Sequence, residues 1–258
     1  MPTPNTSKES VLKKYFGYDT FRPLQSEIIE RTIQGHDSLV LMPTGGGKSV
    51  CFQVPAMVFE GITVVISPLI ALMKDQVEAL LANGIPAAFI NSSLSGDEMS
   101  AIERKARNGE LKIIYISPEK LISQNYIEFI KQLKVSLFAI DEAHCVSTWG
   151  HDFRPEYTKL SILKQTFPAV PLIALTATAD RATRKDIMNQ LGVSHAKVFI
   201  SSFDRPNLSL SVAPGRNRLK IISDFIKKRK NQTGIIYCLS RKNTEDLADS
   251  LRREGINA

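Results

Sequence analysis

Residues 37–53 read DSLVLMPTGGGKSVCFQ, an apolar run followed by a glycine-rich turn and the start of a helical pattern. Glycines adopt positive φ angles at little cost, so such a turn can direct several main-chain N–H groups at one anion. The stretch predicts a nucleoside triphosphate site: its glycines would surround the β-phosphate, its lysine would reach the β- and γ-phosphates, and its serine would bind Mg²⁺. In chain order these residues are Gly45, Gly46, Gly47, Lys48 and Ser49.

One position departs from the generic phosphate-loop pattern G-x-x-x-x-G-K-[ST], which has glycine where this chain has Met42. The alternative is an ordinary glycine-rich turn before a helix. The strand and helix patterns on either side favour the phosphate-binding loop. If this interpretation is correct, Lys48→Ala lowers the affinity for ATP.

The segments around the loop have the pattern of a parallel sheet. Short apolar, β-branched runs alternate with longer segments of helical pattern, and continuous apolar strands are typical of sheets covered by helices on both faces. The sequence therefore predicts an α/β fold. The predicted strands are residues 37–42, 62–67, 111–117, 135–140, 170–176 and 197–201.

A polar stretch with two prolines and a glycine interrupts this alternation after the last of these strands. We expect a domain boundary near residue 206, with residues 1–206 as one domain and residues 207–258 as the start of another. With about 50 residues, the second segment is too short to bury a core of its own, which indicates the beginning of a larger domain. Its predicted elements are a strand at residues 234–240 and a helix at residues 241–254.

Two adjacent carboxylates follow the predicted strand 135–140, in the sequence VSLFAIDEAH. Ligands bind at the carboxyl ends of strands in an open parallel sheet. Asp141 is therefore expected to hold Mg²⁺, and Glu142 to polarise an attacking water. Two adjacent acids alone are also typical of a helix N-cap, but their combination with the glycine-rich loop favours the catalytic interpretation.

Composition limits the possible classes of protein. The chain has 258 residues, 43% of them hydrophobic, without an apolar run of the roughly 20 residues that a membrane span needs and without a secretory signal. Three cysteines, far apart and in no C-x-x-C pair, indicate neither a disulfide framework nor a zinc site. We expect a soluble cytoplasmic protein. Most of the formal charge of +7 lies in residues 207–258, a pattern that fits a polyanion partner or solvated helix faces.

Several further motifs lie around the two already described. In chain order the set is FGYDTFRPLQSEII (16–29), MPTGGGKSVCFQVPA (42–56), ISPLIALMKDQ (66–76), DEAHCVSTWGHDFRPEY (141–157), LTATA (175–179) and SFDRPNL (202–208). Together they resemble the RecQ family of superfamily 2 DNA helicases over nearly the whole chain. The resemblance implies a RecA-like P-loop NTPase domain, followed by the beginning of a second RecA-like lobe. Met42 is usual in that family's loop.

The resemblance also implies an ATP site with Mg²⁺ as cofactor. Tyr18 and Arg22 would hold the adenine ring between them. Gln25 would hydrogen-bond the edge of the ring, because a carboxamide offers a donor and an acceptor in the arrangement that adenine presents. The alternative is that this segment is only a helix start after a turn. The implied set also contains Thr44 for nucleotide binding and, for catalysis, Lys48, Asp141, Glu142 and His144.

The only tryptophan of the chain lies in the polar segment after the acidic motif. In RecQ-like proteins this segment is an aromatic-rich loop that senses single-stranded DNA. Aromatic side chains suit that role because every base has a π-face on which they can stack. The resemblance implies that Trp149 and Phe153 stack on bases, that Arg154 meets a phosphate, and that His144 and His151 connect the loop to the ATP site. The alternative is that Trp149 covers an apolar edge of the sheet.

Other segments give weaker indications. Ser67 and Lys74 lie at a strand end before a helix, where N–H groups and a lysine can hold DNA phosphates, and the segment 117–120 has the same character. Without the resemblance these residues would be ordinary helix caps. Thr176 and Thr178 are expected to couple the ATP site to DNA.

The resemblance predicts an ATP-dependent DNA helicase that moves 3′ to 5′ and acts in DNA repair or recombination. Its partners would be single-stranded DNA and a duplex or fork, and its location the cytoplasm, on the nucleoid in a bacterium, or the nucleus in a eukaryote. The family's motifs V and VI, with their arginine fingers, are missing from this sequence, so we expect ATP binding, weak hydrolysis and no processive unwinding. The alternatives are a catalytically silent nucleic-acid-binding module, which lacks the remainder of the second lobe, and a DEAH-box RNA helicase, which the aromatic loop disfavours.

Overall fold

A computed structural model describes residues 7–123, 126–149, 152–202, 204, 207–229 and 231–258 of the chain. It divides into two compact units, Met1–Asp204 and Arg205–Ala258. No helix among the described residues is long and apolar enough to cross a membrane.

The first unit is built on one sheet of seven strands, all of which pair in parallel. Their order across the sheet is β3-β4-β2-β5-β6-β1-β7. A parallel sheet with crossovers needs helices on both of its faces, and strands so covered are apolar along their whole length. The strands are β1 Ser38–Leu41, β2 Ile62–Ile66, β3 Ala87–Ile90, β4 Ile113–Ile116, β5 Val135–Ile140, β6 Leu172–Thr176 and β7 Lys197–Ile200.

Helices connect the strands. Their bounds are α1 Lys8–Val11, α2 Gln25–Ile33, α3 Val50–Val58, α4 Ile70–Ala82, α5 Gly96–Arg107, α6 Pro118–Leu121, α7 Tyr126–Lys131, α8 Pro155–Thr158, α9 Ser161–Thr166 and α10 Arg181–Gln190, with a π-helix at Leu12–Phe16 and a 3₁₀-helix at Ala143–Val146.

The side chains of each strand point alternately to the two faces of the sheet, and a hydrophobic core lies on each face. Val64 and Ile66 pack on one face, and Val65 between them packs on the other, because successive side chains of a strand point to opposite sides. Met42 is buried in the same core as Val65, with Phe52 of α3. The methionine that departs from the generic loop pattern thus anchors the loop in the core.

Strand register brings the functional segments to one edge of the sheet. Leu41 lies opposite Thr176, so β1 and β6 end level, and Ile66 lies opposite Ile140, so β2 and β5 end level. Ile140 pairs with Ala174, two residues before the end of β6, so all four carboxyl ends lie close together. Main-chain hydrogen bonds continue this alignment one residue further, from Met42 N to Thr176 O at 3.1 Å. The residues that follow these strands are therefore neighbours in space.

The structure confirms the predicted parallel α/β sheet and corrects two details. The strand β3 was not predicted from the sequence, because two of its four residues are alanines, which have low β-propensity. The predicted strand at residues 234–240 is wrong: the described residues of the second unit form no strand, and Tyr237 and Leu239 are almost fully exposed there. A strand is defined by its partner, and this segment has none among the described residues of its unit.

The second unit contains two helices, α11 Arg218–Lys227 and α12 Arg241–Arg253. Lys227 Nζ donates to Glu254 Oε2 at 2.9 Å, and the Ser223 hydroxyl donates to the same carboxylate. The assignment of this unit as the start of a second RecA-like lobe stays a prediction.

Candidate nucleotide and nucleic-acid site

A cavity of about 370 Å³ lies at the carboxyl edge of the sheet. Segments from four parts of the chain form its wall: the π-helix and the turn after it, the glycine-rich loop, α4 and the end of β5. The lining residues are Leu12, Tyr18, Thr20, Arg22, Gln25, Thr44, Gly45, Gly47, Lys48, Ser49, Val50, Leu72, Gln76, Asp141 and Glu142. Most of the predicted nucleotide-binding residues are therefore brought together.

The conformation of the glycine-rich loop depends on its glycines. Gly45 and Gly47 have φ angles of +77° and +84°, a region that side chains rarely adopt. Gly46 N donates to Pro43 O at 2.9 Å, and a Cβ atom at Gly46 would lie only 2.8 Å from that oxygen. Lys48 Nζ donates to Met42 O at 3.1 Å, so the lysine lies beside the loop that it is expected to serve.

Gln25 fastens the predicted adenine-binding segment to the glycine-rich loop. Its Oε1 accepts from Arg22 N at 2.8 Å, and its Nε2 donates to Gly47 O at 3.0 Å. Arg22 Nη1 makes a parallel contact with Gly45 O at 2.6 Å. Tyr18 lines the cavity with a side chain that is 56% exposed, which leaves its ring accessible to a planar ligand.

The two carboxylates after β5 differ in their electrostatics. Burial, and after it the charge of Glu142, raise the pKa of Asp141 to about 6. Hydrogen bonding from His144 lowers the pKa of Glu142 below its usual value. Glu142 also has a φ angle of +47°, uncommon for a residue with a side chain. A bound cation would therefore stabilise the ionised form of Asp141, whose pKa is raised, whereas Glu142 is ionised at neutral pH without one.

His144 connects the acidic motif to the end of β6. Its Nδ1 lies 3.3 Å from Glu142 Oε2 and 2.9 Å from Thr176 Oγ1. Hydrogen bonding with Cys145 and then with Glu142 raises the pKa of His144 to about 10, so the ring is a donor at neutral pH. Thr176 Oγ1 in turn donates to Thr178 O at 3.1 Å. Glu142 and Thr176 thus share the single N–H of Nδ1, and polar contacts run from Glu142 through the ring to Thr178.

The donor set of the cavity fits MgATP. Among the described residues, no group of three or more His, Cys, Asp and Glu side chains could hold a metal ion by itself. Mg²⁺ commonly takes one or two protein oxygens and completes its shell with substrate phosphates and water. The Ser49 hydroxyl and the Asp141 carboxylate, which both line the cavity, are suitable ligands of this kind.

The predicted DNA-sensing segment, Ser147 to Arg154, which we call the aromatic loop, is fixed at its base. Arg154 N donates to Cys145 O at 3.0 Å, and Ser147 Oγ donates to Asp186 Oδ2 of α10 at 2.6 Å. Trp149 N donates to the same serine oxygen at 3.2 Å. His151 lies outside the described residues.

The side chains of the aromatic loop differ in exposure. Trp149 is 77% exposed and Phe153 is 39% exposed, so the structure contradicts the alternative that Trp149 covers an apolar edge of the sheet. Arg154, expected to meet a DNA phosphate, already donates from Nη1 to Pro68 O at 2.9 Å and lies 3.3 Å from Asp152 Oδ2. Its guanidinium therefore joins the loop to the segment after β2.

Of the two residues after β2 that were predicted to contact DNA, Lys74 is placed for this role and Ser67 is not. Ser67 is buried, and its hydroxyl has no hydrogen-bond partner among the described residues, so its position does not support contact with a phosphate at the surface. Lys74 is exposed on α4, 3.9 Å from Glu78, and can reach a surface ligand.

Several residues of the site were missed in the sequence. Leu12, Thr20, Leu72 and Gln76 line the cavity. Tyr157 was also missed; it does not line the cavity, but its hydroxyl donates to Asp141 O at 3.1 Å. Thr20, Leu72 and Gln76 lie within motifs that carried the resemblance, so their positions offered a signal, whereas Leu12 lies outside these motifs and offered none.

A comparison with protein families matches residues 22–187, well over half of the chain, to the DEAD/DEAH box helicase family. The chain is 51% identical over 248 residues to the ATP-dependent DNA helicase RecQ of Pasteurella multocida, and 42% identical over 252 residues to that of Bacillus subtilis. These alignments cover 96% and 97% of this chain, and 39% and 43% of the relatives. The chain thus spans about two fifths of the length of these relatives.

Solved structures show the same fold at low sequence identity. The DUF1998 helicase MrfA bound to DNA and AMPPNP gives a TM-score of 0.72 at 17% identity, over 98% of this chain and 39% of that one. The DEAD-box helicase Mss116 bound to ssRNA and UDP-BeF gives a TM-score of 0.64 at 18% identity, over 98% of this chain and 60% of that one. The α/β fold is therefore RecA-like, as the resemblance to the RecQ family implied.

Proposed function

The chain belongs to the DEAD/DEAH box helicase family, and from this premise we propose that it is the ATP-binding part of a RecQ-like DNA helicase. In this proposal residues 1–206 form the lobe that binds and hydrolyses MgATP in response to single-stranded DNA. Residues 207–258 begin the second RecA-like lobe. The whole protein would unwind a duplex or fork in the 3′ to 5′ direction during DNA repair or recombination, as the RecQ resemblance implies.

One observation carries the proposal. The cavity that holds the glycine-rich loop, Gln25 and the two carboxylates is connected by hydrogen bonds through His144 to Thr176, and the aromatic loop begins three residues after this histidine. A site that only stored nucleotide would need no such connection to an exposed tryptophan. The arrangement supports hydrolysis that responds to a ligand on the loop.

Each group of residues in the cavity would have a separate role in phosphoryl transfer. Ser49 and Asp141 would hold Mg²⁺, which neutralises charge on the phosphate oxygens. Lys48 and the N–H groups of the glycine-rich loop would bind the phosphates. Glu142, kept ionised by the hydrogen bond from His144, can accept a proton from the attacking water.

Specificity for ATP would come from the adenine end of the cavity. The free edge and the ring faces of the base would meet Gln25, Tyr18 and Arg22. Gln25 already uses Oε1 and Nε2 to hold Arg22 and Gly47. A carboxamide oxygen has a second lone pair and its nitrogen a second hydrogen, so both atoms can also engage the base.

The DNA side of the site would use stacking more than base-specific hydrogen bonds. Trp149 and Phe153 are accessible for stacking on successive bases of a single strand, and Lys74 for contact with its backbone. Binding of this kind tolerates any sequence. A strong response to oligo-dT is therefore expected without a preferred motif.

The proposal is tested by phosphate release from MgATP with and without oligo-dT, together with a titration of ATP binding. We expect DNA to stimulate release by the wild-type chain, and Lys48→Ala to bind ATP weakly. Lys134→Ala is the matched control, because this exposed lysine pairs with Glu60 at the opposite edge of the sheet.

ATP binding without stimulation by DNA would favour the silent binding module over the enzyme. Stronger stimulation by RNA than by DNA of the same length would contradict the DNA substrate. Unchanged ATP affinity in Lys48→Ala would contradict the assignment of the phosphate-binding loop.

A further inference from the structure

Tyr157 makes a hydrogen bond that ties the aromatic loop to the acidic motif. Its hydroxyl donates to the main-chain oxygen of Asp141 at 3.1 Å, although the two residues are 16 positions apart. The tyrosine is completely buried on α8, and burial raises the pKa of its phenol well above the usual value. The hydroxyl therefore keeps its proton and acts as a donor at any physiological pH.

The peptide between Asp141 and Glu142 is held from two sides. Tyr157 donates to its carbonyl oxygen, and its N–H group, on Glu142, donates to Asp141 Oδ1 at 3.0 Å. In the preceding peptide, Asp141 N donates to Ile66 O at 2.8 Å, which continues the pairing of β5 with β2. The next residue, Glu142, has a left-handed conformation that a non-glycine residue keeps only where its surroundings impose it. The orientation of this peptide sets where both carboxylates point, so the hydroxyl of Tyr157 contributes to the geometry of the candidate magnesium site.

The same tyrosine is joined to the carboxyl end of the aromatic loop. Tyr157 N donates to Arg154 O at 3.0 Å, and Arg154 N donates to Cys145 O at 3.0 Å. Arg154 therefore lies between the base of the loop and the tyrosine. If Phe153 moved, its neighbour Arg154 would move with it. Arg154 and Tyr157 are then the only two residues between Phe153 and the Asp141 carbonyl.

We propose that Tyr157 is a positioning residue that transmits the state of the aromatic loop to Asp141 and Glu142. The inference rests on the proposed function and adds a route to it. One route runs from Glu142 through His144 to Thr176, and the route through Tyr157 enters from the other end of the loop. Occupation of the loop by a single strand would shift Arg154 and Tyr157 together, and with them the peptide that carries the two carboxylates.

Tyr157→Phe tests this role because it removes one oxygen atom and keeps the buried ring. Tyr126→Phe is the matched control: Tyr126 is also buried, and its hydroxyl has no hydrogen-bond partner among the described residues. Trp149 supplies a signal that does not depend on turnover, because it is the only tryptophan of the chain and is exposed. Its fluorescence is recorded with oligo-dT bound, as Mg²⁺ is added to the chain with a non-hydrolysable ATP analogue.

In the wild type and in Tyr126→Phe, we expect Mg²⁺ to change the emission of Trp149. In Tyr157→Phe, we expect most of this change to be lost, and the Mg²⁺ concentration for half-maximal phosphate release to rise by about tenfold, the lower end of what loss of a ligand-orienting contact costs. Melting curves identify any loss of folded protein. A Tyr157→Phe chain that melts as a folded protein and matches Tyr126→Phe in both measurements would overturn the role of Tyr157 alone. A wild-type chain that binds no MgATP would overturn the proposed function, and this role with it.

Discussion

The side-chain amide of Gln25 joins the amino end of α2 to the glycine-rich loop by donating to Gly47 O at 3.0 Å. The same side chain accepts from Arg22 N at 2.8 Å and is only 3% exposed. Gln25 therefore fixes the position of the predicted adenine-binding segment relative to the glycine-rich loop.

Gln25→Ala is expected to weaken ATP binding by about tenfold, or about 1.4 kcal/mol, because two hydrogen bonds that order the cavity are lost. The preference for ATP over GTP should fall as well, since Gln25 is the residue expected to read the base. Competition titrations with a fluorescent ATP analogue measure both effects. Gln34→Ala, at the exposed carboxyl end of the same helix, is the control and should bind ATP as the wild type does.

Trp149→Ala is expected to abolish stimulation of phosphate release by single-stranded DNA. One aromatic–base stack contributes about 1–3 kcal/mol, and the exposed indole is the largest such surface on the loop. Release in the absence of DNA should change by less than about twofold, since Trp149 does not line the nucleotide cavity. Tyr237→Ala, which removes an exposed aromatic side chain of the second unit, is the matched control. Full stimulation in Trp149→Ala would rule out the sensing role.

The carboxylate of Asp186 is expected to support the stimulation of phosphate release by DNA, because it holds the base of the aromatic loop. It accepts from Ser147 Oγ at 2.6 Å, and this oxygen accepts from Trp149 N. Asp186→Ala should therefore reduce DNA stimulation severalfold and leave ATP affinity unchanged. Acrylamide quenching of Trp149 reports the loosened loop directly. Asn189→Ala on the same helix is exposed and serves as the control; equal effects of the two variants would show that Asp186 has no special role.

The sequence predicted those parts of the site that lie close together along the chain. The glycine-rich loop and the acidic pair can be recognised because each follows one apolar strand, and their meeting follows from the parallel sheet. The contact of His144 with Thr176 depends on the order of the strands, and the contact of Tyr157 with Asp141 depends on how the segment between these two residues folds back. A single sequence does not specify that order, so these partners became visible only in the folded chain.

Exposure was the second property that the sequence could not supply. Ser67 follows a strand as a phosphate-binding serine would, yet its side chain points into the protein. Arg154 has the charge to meet a phosphate, yet its guanidinium is engaged by Pro68. In both cases the residue type was compatible with the predicted role, and local packing decided what the side chain contacts.

Asp37 is expected to stabilise the opposite edge of the sheet, away from the nucleotide cavity. Its buried Oδ1 accepts from Leu172 N at 2.8 Å and from Lys164 Nζ at 3.1 Å, which ties the start of β1 to the start of β6. Asp37→Ala should lower the free energy of unfolding by about 2–4 kcal/mol, because it leaves the buried N–H group of Leu172 without its acceptor. It also removes the carboxylate from the nearly buried Lys164 ammonium, which keeps only two carbonyl acceptors.

Urea denaturation curves with equal slopes measure this loss. Asp19→Ala removes an exposed ion pair with Lys13 and should cost at most about 1 kcal/mol. Asp37→Asn keeps an acceptor for Leu172 N and should fall between the two. A loss in Asp37→Ala no larger than that in Asp19→Ala would show that the buried contacts contribute nothing.

Cys51 is expected to make the protein less stable at alkaline pH. Burial raises the pKa of its thiol from about 9 to about 12. The unfolded chain therefore loses the thiol proton as the pH rises through 9, whereas the folded chain keeps it until about 12. Because the unfolded state then binds fewer protons, the free energy of unfolding must fall across this interval, by up to about 1.4 kcal/mol per pH unit.

Comparison with Cys51→Ala isolates this contribution, since every other titrating group is present in both chains. The substitution changes stability at pH 7 by a constant amount, but above pH 9 the wild type should lose stability faster than the variant. Urea denaturation at intervals between pH 7 and 10.5 measures the difference in slope. Parallel curves for the two chains would mean that the Cys51 thiol ionises as readily in the folded protein as in the unfolded chain, in conflict with its buried position on α3.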